Sequence, residues 1–296
     1  MGMTADVAPL SAPAQASAPN GLSPEQFRAV ADIIESRSAI TLPEGKEYLV
    51  ESRLAPIAKE RGISVSELAN LVLSPAQEEL RAAVVEAMTT NETLWFRDVA
   101  PWDALRTVVL PEIIERRASS RHLRVWCGAS SSGQEPYSLS MLLDEHFPDL
   151  VGWRRELVGT DLSNEMLERC RNATYSALEV NRGLPVTHLV RYLEQSGRDY
   201  RIVDRLCVDW EWKQLNLARP FPALPRADLV MLRNVLIYFT DEVKSQVLAR
   251  VRQVMDPDGW LFLGTAESTM NLDESFERVP CGKAIAFRLR DRPSAR

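Results

Sequence analysis

The sequence predicts an α/β protein, a mostly parallel sheet covered by helices on both faces, preceded by an all-helical module. Two observations carry this. Past Arg121, short apolar runs alternate with helical patterns: LRVWCG then EPYSLSMLLDEHF, ELVGTD then SNEMLERC, DLVMLRN then DEVKSQVLARVRQVM. Strands joined through helices pair in parallel and are buried on both sides. The first hundred residues, by contrast, carry helical periodicity and repeated helix-start signatures.

The elements follow in order. Residues 1–20, MGMTADVAPLSAPAQASAPN, are rich in Ala, Pro and Ser and lack the basic and apolar regions of a signal peptide, so a disordered tail is expected. A helical domain takes 21–90. SPEQ at 23–26 offers Ser as N-cap, Pro at N1 and Gln at N3, and Phe27, Val30 and Ile34 mark one face. A second helix is expected from Lys46 to Arg61, ended by Gly62; SVSE at 64–67 is a capping box; SPAQ at 74–77 opens a fourth helix through Leu80, Val84 and Met88. A linker motif and helix occupy 91–120, with Trp102, Leu105 and Val109 on one side and Pro111 placed to bend or interrupt it.

The α/β domain is expected over 121–296. Leu139, Leu142 and Leu143 bury its first crossover helix, and Ser163 caps the second. DPDG at 256–259 reads as a turn before GWLFLG. AIAFRLR follows too closely for a helical crossover, so the last two strands should pair antiparallel. The polar, Arg-rich stretch of about 174–213 breaks the alternation and reads as an inserted β-subdomain with short strands such as YRIV.

Composition removes several function classes. A net charge of −6 gives no global basic field to draw nucleic acid. The longest apolar runs are of strand length, so no membrane insertion is expected. Cys127, Cys170, Cys207 and Cys281 form no CxxC pair, which fits a reducing, cytoplasmic setting. His122, His146 and His188 have no ligand-like spacing, so no metal site is expected.

The chemistry centres on LRVWCGASSSGQEPYS (123–138), where a strand stops at Gly128 and a helix opens at Glu135. A phosphate-binding loop needs GxxxxGK[ST]. Gly128 and Gly133 have that spacing, but Gln134-Glu135 replace the lysine and hydroxyl, and a carboxylate repels phosphate. A dinucleotide fingerprint needs a middle glycine for the pyrophosphate, and Ser130 stands there. The third reading is a ligand with a ribose and a cationic or zwitterionic end. Glu135 can accept from an ammonium, Gly128 lets backbone approach closely, and Asp161 ends the next strand, where an acid can grip ribose hydroxyls. S-adenosylmethionine has those features and no phosphate. Against this stands the bland reading that both acids merely cap helices.

Read together, the motifs resemble the CheR family of chemotaxis receptor methyltransferases, over about 23–290. The resemblance rests on NETLWFRD (91–98), RVWCGASSSGQEPYS (124–138), GTDLS (159–163), QLNL (214–217), LRNVLIYF (232–239) and GWLFLGTAES (259–268). It implies a helical N-terminal domain and a class I S-adenosylmethionine-dependent methyltransferase domain, Rossmann-like, carrying a small β-subdomain. It implies S-adenosyl-L-methionine as donor, S-adenosyl-L-homocysteine as product, and glutamate side chains of chemoreceptors as acceptors, methylated to set receptor adaptation. Carried over position by position, the cofactor site should include Asn91, Thr93, Arg97 and Glu135, then Asp161, Asn216 and Leu217, then Asn234 and Val235. Arg97 and Tyr238 should act catalytically, Tyr238 near the transferred methyl. Gln134 stands for a usual glutamate and Trp95 for an aromatic that is commonly Phe; neither touches the expected chemistry.

A glutamate carboxylate has a pKa near ~4.3, so at neutral pH it is already the nucleophile and needs no general base. Trp95 and Phe96 can anchor 91–98 and leave Asn91, Thr93 and Arg97 turned toward a ligand. The expected partners are cytoplasmic helices of chemoreceptors. The second helix, with Lys46, Arg53, Lys59 and Arg61, is the candidate docking surface, although Glu44, Glu47, Glu51 and Glu60 are interleaved and Pro56-Ile57 interrupt the denser arginine run usual in the family. The insertion's loop, EQSGRDYRIV, has the single glycine Gly197, so no dependence on a C-terminal receptor pentapeptide tether is expected. The rival functions are the same fold acting on another protein or a small carboxylic acid, and a non-catalytic module that senses its ligand.

Overall fold

The computed structural model describes residues 21–290; the stretch read as a tail, 1–20, lies outside them. The chain divides into two compact units, Met1–Ile33 with Leu42–Ala87, and Ile34–Thr41 with Met88–Arg296.

The first unit is helical: most of α1 (Pro24–Ser38), then α2 (Glu47–Glu60), α3 (Val65–Leu73) and α4 (Glu78–Ala87). Both capping signatures close as expected. The Gln26 N–H donates to Ser23 Oγ (3.2 Å) while the Ser23 N–H donates to Gln26 Oε1 (2.9 Å). Ser64 and Glu67 form the same reciprocal pair at α3. Phe27, Val30, Val50, Leu54, Leu68 and Leu80 fill the core. SPAQ does not open α4. Ser74 precedes a proline, so its backbone is extended (ψ 126°), and it ends α3 by donating to the Leu71 carbonyl. The helix starts four residues later, at Glu78.

In the second unit the 100–117 helix exists in three pieces. α5 (Val99–Ala104) passes through a wide π turn, Leu105–Val109, into α6 (Leu110–Arg117). In that turn the Leu110 N–H reaches back five residues to the Leu105 carbonyl. Pro111 lacks an N–H, and in a regular helix its ring would press on the carbonyl four residues before it. The widened turn lies just ahead of it.

The sheet is built from β1 (His122–Gly128), α7 (Gln134–His146), β2 (Arg154–Asp161) and α8 (Asn164–Asn172). A smaller sheet interrupts: β3 (Thr174–Ser176), α9 (Ala177–Val180), α10 (Val186–Tyr192), β4 (Leu193–Ser196) and β5 (Asp199–Ile202). The large sheet resumes with β6 (Trp210–Gln214), β7 (Ala227–Leu232), α11 (Asp241–Val254), β8 (Met255–Leu263), β9 (Phe276–Cys281) and β10 (Ala284–Leu289). The large sheet runs β6-β2-β1-β7-β8-β10-β9 and the small one β3-β5-β4. The first five strands of the large sheet are parallel, and β10 is antiparallel to both β8 and β9.

Three details depart from the sequence expectation. The stretch 174–213 is not one unit, because Trp210–Gln214 pairs in parallel with β2 as the edge of the large sheet. DPDG lies inside β8 as a bulge: Ala227 pairs with Met255 but Leu229 with Trp260. A Cβ on Gly259 would stand 2.9 Å from the Ala227 carbonyl oxygen, so only glycine fits that bulge. The strand β9 carries Pro280 and gives no strand signal in the sequence; proline is tolerated because β9 is an edge.

Alternate residues fill opposite faces. Val125, Cys127, Leu229 and Met231 pack on one side of the sheet, and Trp126, Val158, Val230 and Leu232 on the other. The chain leaves β1 toward β2 and later returns on its other side as β7, so a crevice opens at the carboxyl ends of these strands.

Candidate functional site

That crevice is a cleft open to solvent within the second unit, with about 890 Å³ of empty space when the open solvent at its mouth is included. Its floor is the loop after β1. Ala129 (φ 53°), Ser131 (φ 50°) and Gly133 (φ 96°) are all left-handed, and the loop is knotted by its own small side chains. Ser130 Oγ donates to the Cys127 carbonyl (2.9 Å), Ser131 Oγ to the Asn91 carbonyl (2.7 Å) and Ser132 Oγ to Gln134 Oε1 (2.8 Å). Gly133 is irreplaceable for a second reason: a Cβ there would meet the Tyr175 hydroxyl at 2.9 Å. Gly128 has no positive φ; a Cβ there would strike Leu232 Cδ1 at 2.7 Å, so the close approach it permits is to the neighbouring strand.

The loop's amides decide what it holds. The Ser130 N–H donates to the Thr160 carbonyl (2.9 Å) and the Ser131 N–H to Asp161 Oδ2 (2.8 Å). A phosphate cradle needs such donors uncommitted; here they fix the next strand's acid instead. Asp161 Oδ1 accepts a second backbone N–H, from Ser163 (2.9 Å), and the side chain is buried at the cleft wall. These two backbone donors orient the carboxylate at the end of β2.

At the far side Arg233, fully buried, joins three pieces of chain. It donates to Glu135 Oε2 (2.6 Å), Asp98 Oδ2 (2.8 Å) and the Arg97 carbonyl (2.9 Å), while its Nε has no partner among the described residues. Glu135 therefore has one oxygen committed to a protein cation, and Oε1 is what remains for a ligand. Asn234 is left-handed (φ 60°), and its N–H donates to Glu267 Oε2 (2.8 Å), which also accepts from the Gly264 N–H (2.6 Å); Glu267 Oε1 takes the Ile237 N–H (3.2 Å). One half-buried carboxylate thus shapes the turn that carries Asn234, Val235 and Tyr238.

All ten site residues expected from the sequence line this one cleft. Their states differ. Asn216 is mostly spent on structure, its amide donating to the Arg37 carbonyl (2.5 Å) and its Oδ1 accepting from the Ala218 N–H (2.9 Å). Leu217 and Val235 supply apolar wall, and Asn91 and Thr93 come from the stretch before Trp95. The Arg97 guanidinium and the Tyr238 hydroxyl line the cleft and make no hydrogen bond or ion pair among the described residues. Sequence reading missed Arg233 and Glu267 as organisers. The signal was present: an arginine directly ends the apolar run DLVML, and Glu267 follows a strand-ending glycine. Burial pushes the Cys127 thiol far up, with the Glu135 charge adding to it, and pushes Cys170 up as well, so neither provides a thiolate nucleophile beside the cleft.

A seven-stranded sheet in this order, ending in an antiparallel hairpin and carrying a nucleoside-type cleft at its switch point, defines a class I S-adenosylmethionine-dependent methyltransferase. The cleft fits that cofactor: an oriented carboxylate stands at the end of β2, two loop amides are spent on the end of that strand, and a buried donor lacks a partner among the described residues. Within the class, the chain belongs to the CheR methyltransferase family: the SAM binding domain of that family matches residues 91–285 and its all-alpha domain matches 25–89. The chemotaxis protein methyltransferase Cher2 of Pseudomonas putida is 39% identical over 89% of this chain and 96% of its own length. Chemotaxis protein methyltransferase 1 of Pseudomonas aeruginosa is 40% identical over 86% of this chain and 94% of its own. Among solved structures, the glycopeptide N-methyltransferase MtfA complexed with sinefungin matches at 15% identity and TM-score 0.33, over 57% of this chain and 53% of that one.

Proposed function

We propose that this methyltransferase esterifies glutamate side chains of chemoreceptors and so sets their adaptation. The observation that carries the reading is Arg97: of the cations lining the cleft it alone has no acidic partner among the described residues, since Arg233 is held by Glu135 and Asp98. An uncommitted guanidinium recognises a planar carboxylate and gives no help to an amine. S-adenosylmethionine supplies an electrophilic methyl group on a sulfonium. Asp161 holds the ribose end, and Leu217 and Val235 flank the base. Glu135 and the orphaned Arg233 Nε meet the ammonium and carboxylate of the amino-acid end. Asn91, Thr93, Asn216 and Asn234 complete the cofactor's surroundings. Arg97 orients the incoming carboxylate, and Tyr238 walls the transfer site and excludes water. No group needs to remove a proton, because the acceptor is already ionised.

The proposed partners are the receptors' cytoplasmic helices, which places the enzyme in the cytoplasm. Among the described residues no helix is long and apolar enough to cross a membrane. In α2, Arg53 is half-buried and donates to the Ala87 carbonyl (3.3 Å), so exposed Lys59 and Arg61 are the better docking candidates. The proposal includes independence from a receptor pentapeptide. Two short edges, β3 and β4, flank β5, and β4 meets β5 through a two-residue turn at Gly197-Arg198 (φ 64° at Gly197). That turn has no glycine-rich loop for a fourth strand to lie against.

The test is transfer of labelled methyl groups to a receptor cytoplasmic fragment, followed by peptide mass spectrometry. Base-labile label on glutamate supports the reading. Label on small carboxylic acids alone, or none on any acceptor despite cofactor binding, would assign one of the rival functions.

A further inference from the structure

Residues 91–98 present Asn91, Thr93 and Arg97 to the cleft on backbone that is neither helix nor strand. Phe96 (φ 47°) and Asp98 (φ 58°) are left-handed, a state that non-glycine residues keep only where the surroundings over-determine it. Much of that constraint comes from the inserted segment, at the corner between α9 and α10. Trp95, buried against Tyr175 with ring centroids 4.8 Å apart, donates its indole N–H to the Glu179 carbonyl (3.1 Å) and its backbone N–H to the Arg182 carbonyl (3.3 Å). Arg182 pairs with Glu92 (2.9 Å). His188, held by Glu145 (3.0 Å), sets its ring edge-on to Phe96 at 4.9 Å. Between these contacts lies Gly183. Its φ is +103°, and a Cβ there would stand 2.4 Å from the Trp95 carbonyl oxygen. From the sheet side, Ser138 Oγ accepts the Phe96 N–H (3.1 Å), and Arg233 and Trp102 donate to the Arg97 carbonyl (2.9 and 3.0 Å). The backbone around Arg97 is therefore gripped from two sides while its guanidinium has no hydrogen bond or ion pair among the described residues.

We propose that the α9–α10 corner of the insertion is a positioning element for methyl transfer, with Gly183 as its central residue: by seating the Trp95 carbonyl it fixes the direction in which Arg97 leaves the chain. The inference rests on Arg97 orienting the acceptor carboxylate. It gives the insertion a role in the reaction that is separate from any docking of receptor.

A double-mutant cycle tests it. Rates are expressed per cofactor-binding site, counted by calorimetry with S-adenosylhomocysteine, so that unfolded protein does not register. Gly183→Ala should lower kcat about tenfold or more, with cofactor affinity and receptor KM changed less than about threefold. In an Arg97→Ala background the same substitution should cost less than about twofold, because the group it positions is gone. Additive costs, or fewer sites with an unchanged rate per site, would overturn the proposal. If Gly183→Ala does not fold, His188 replaces it: His188→Phe keeps a ring against Phe96 and should stay near wild type, whereas His188→Ala should slow transfer. Equal rates for the two would also overturn it. Amide hydrogen exchange of the S-adenosylhomocysteine complex needs no acceptor at all. Protection at 93–98 should fall in the Gly183 variant and hold elsewhere; unchanged protection there sinks the positioning role even if receptor glutamates prove not to be the substrate. An active wild type with an additive cycle removes the positioning role and leaves the acceptor assignment standing.

Discussion

The two ends of the large sheet use the same charged residue types to opposite effect. At the amino ends of β1, β7 and β8, three aspartates and two arginines are tied together in one network. Asp228, fully buried, accepts from Arg117 Nε (2.7 Å), Arg124 Nη2 (2.7 Å) and the Arg124 N–H (2.8 Å), while Asp256 and Asp258 complete the pairing of the two arginines. At the carboxyl ends, Arg97 and Tyr238 line a cleft without hydrogen-bond or ion-pair partners among the described residues, on loops that contain left-handed Phe96, Asp98 and Asn234. A charge whose donors or acceptors are all spent within the protein holds a structure together and has little left to offer a ligand. An unpaired one contributes little to folding and is available for chemistry.

The largest expected effect breaks the unpaired end. Arg97→Ala should lower kcat on receptor by about a thousandfold, roughly 4 kcal/mol in the barrier, the scale of one lost preorganised donor. Its melting temperature should stay within about 2 °C of wild type, because the guanidinium makes no hydrogen bond or ion pair among the described residues. Arg97→Lys should recover only part of the rate, since a point charge does not replace a planar fork. Cofactor affinity falling by the same factor as kcat would make Arg97 a binding residue only.

At the paired end the result should invert. Asp228→Ala removes the one fully buried acceptor that the two arginines share, leaving them the more exposed Asp256 and Asp258, and should cost about 3 kcal/mol of unfolding free energy. Urea denaturation measures it. The methylation rate per folded molecule should be unchanged, and a matching loss of specific activity would show that the two ends are not separable.

Asp161 stands between the two types, since it is both held by backbone and turned to the cleft. Asp161→Ala should weaken S-adenosylhomocysteine binding tenfold to a hundredfold, about 1.5–3 kcal/mol, by calorimetry. It should also loosen the Ser131 and Ser163 amides that it holds. Unchanged affinity removes Asp161 from the cofactor site.

The paired end was largely invisible in the sequence, and the unpaired end largely legible. Apolar periodicity and helix caps carry local information, so the strand–helix alternation, the Ser64 capping box and the strand ends at Gly128 and Asp161 could be read directly. Family motifs then placed ten residues around one cleft. The organisers Arg233 and Glu267 act through backbone carbonyls and amides brought together by folding, which no residue spacing records. The same is true of Arg117 and Asp228, 111 residues apart in sequence and bonded from the end of α6 to the start of β7. The wide turn ahead of Pro111 and the bulge at DPDG were announced as disturbances, but their form is set by how the flanking elements pack.

The smallest effect sharpens the comparison through pH. Hydrogen bonding from Arg117 holds the Asp258 carboxyl far below the ordinary aspartate range, against an opposing push from partial burial, with further help from Asp256 and Arg116. Folding therefore favours the ionised form. The resulting stability is fully present above the unfolded-state pKa of about 3.9 and is lost as pH falls below it toward the folded value. Because Asp258 is about one-third exposed, solvent screening reduces the contribution to about 1 kcal/mol. Asp258→Asn should thus be less stable than wild type by about that amount in urea at pH 7 and pH 5, and the gap should narrow steadily as pH falls below about 4. A gap that does not narrow at all below about pH 4 would mean the asparagine has lost packing and not charge. A gap absent at pH 7 would mean Asp228 and Asp256 satisfy Arg117 without it, and the network would then rest on the one buried acid.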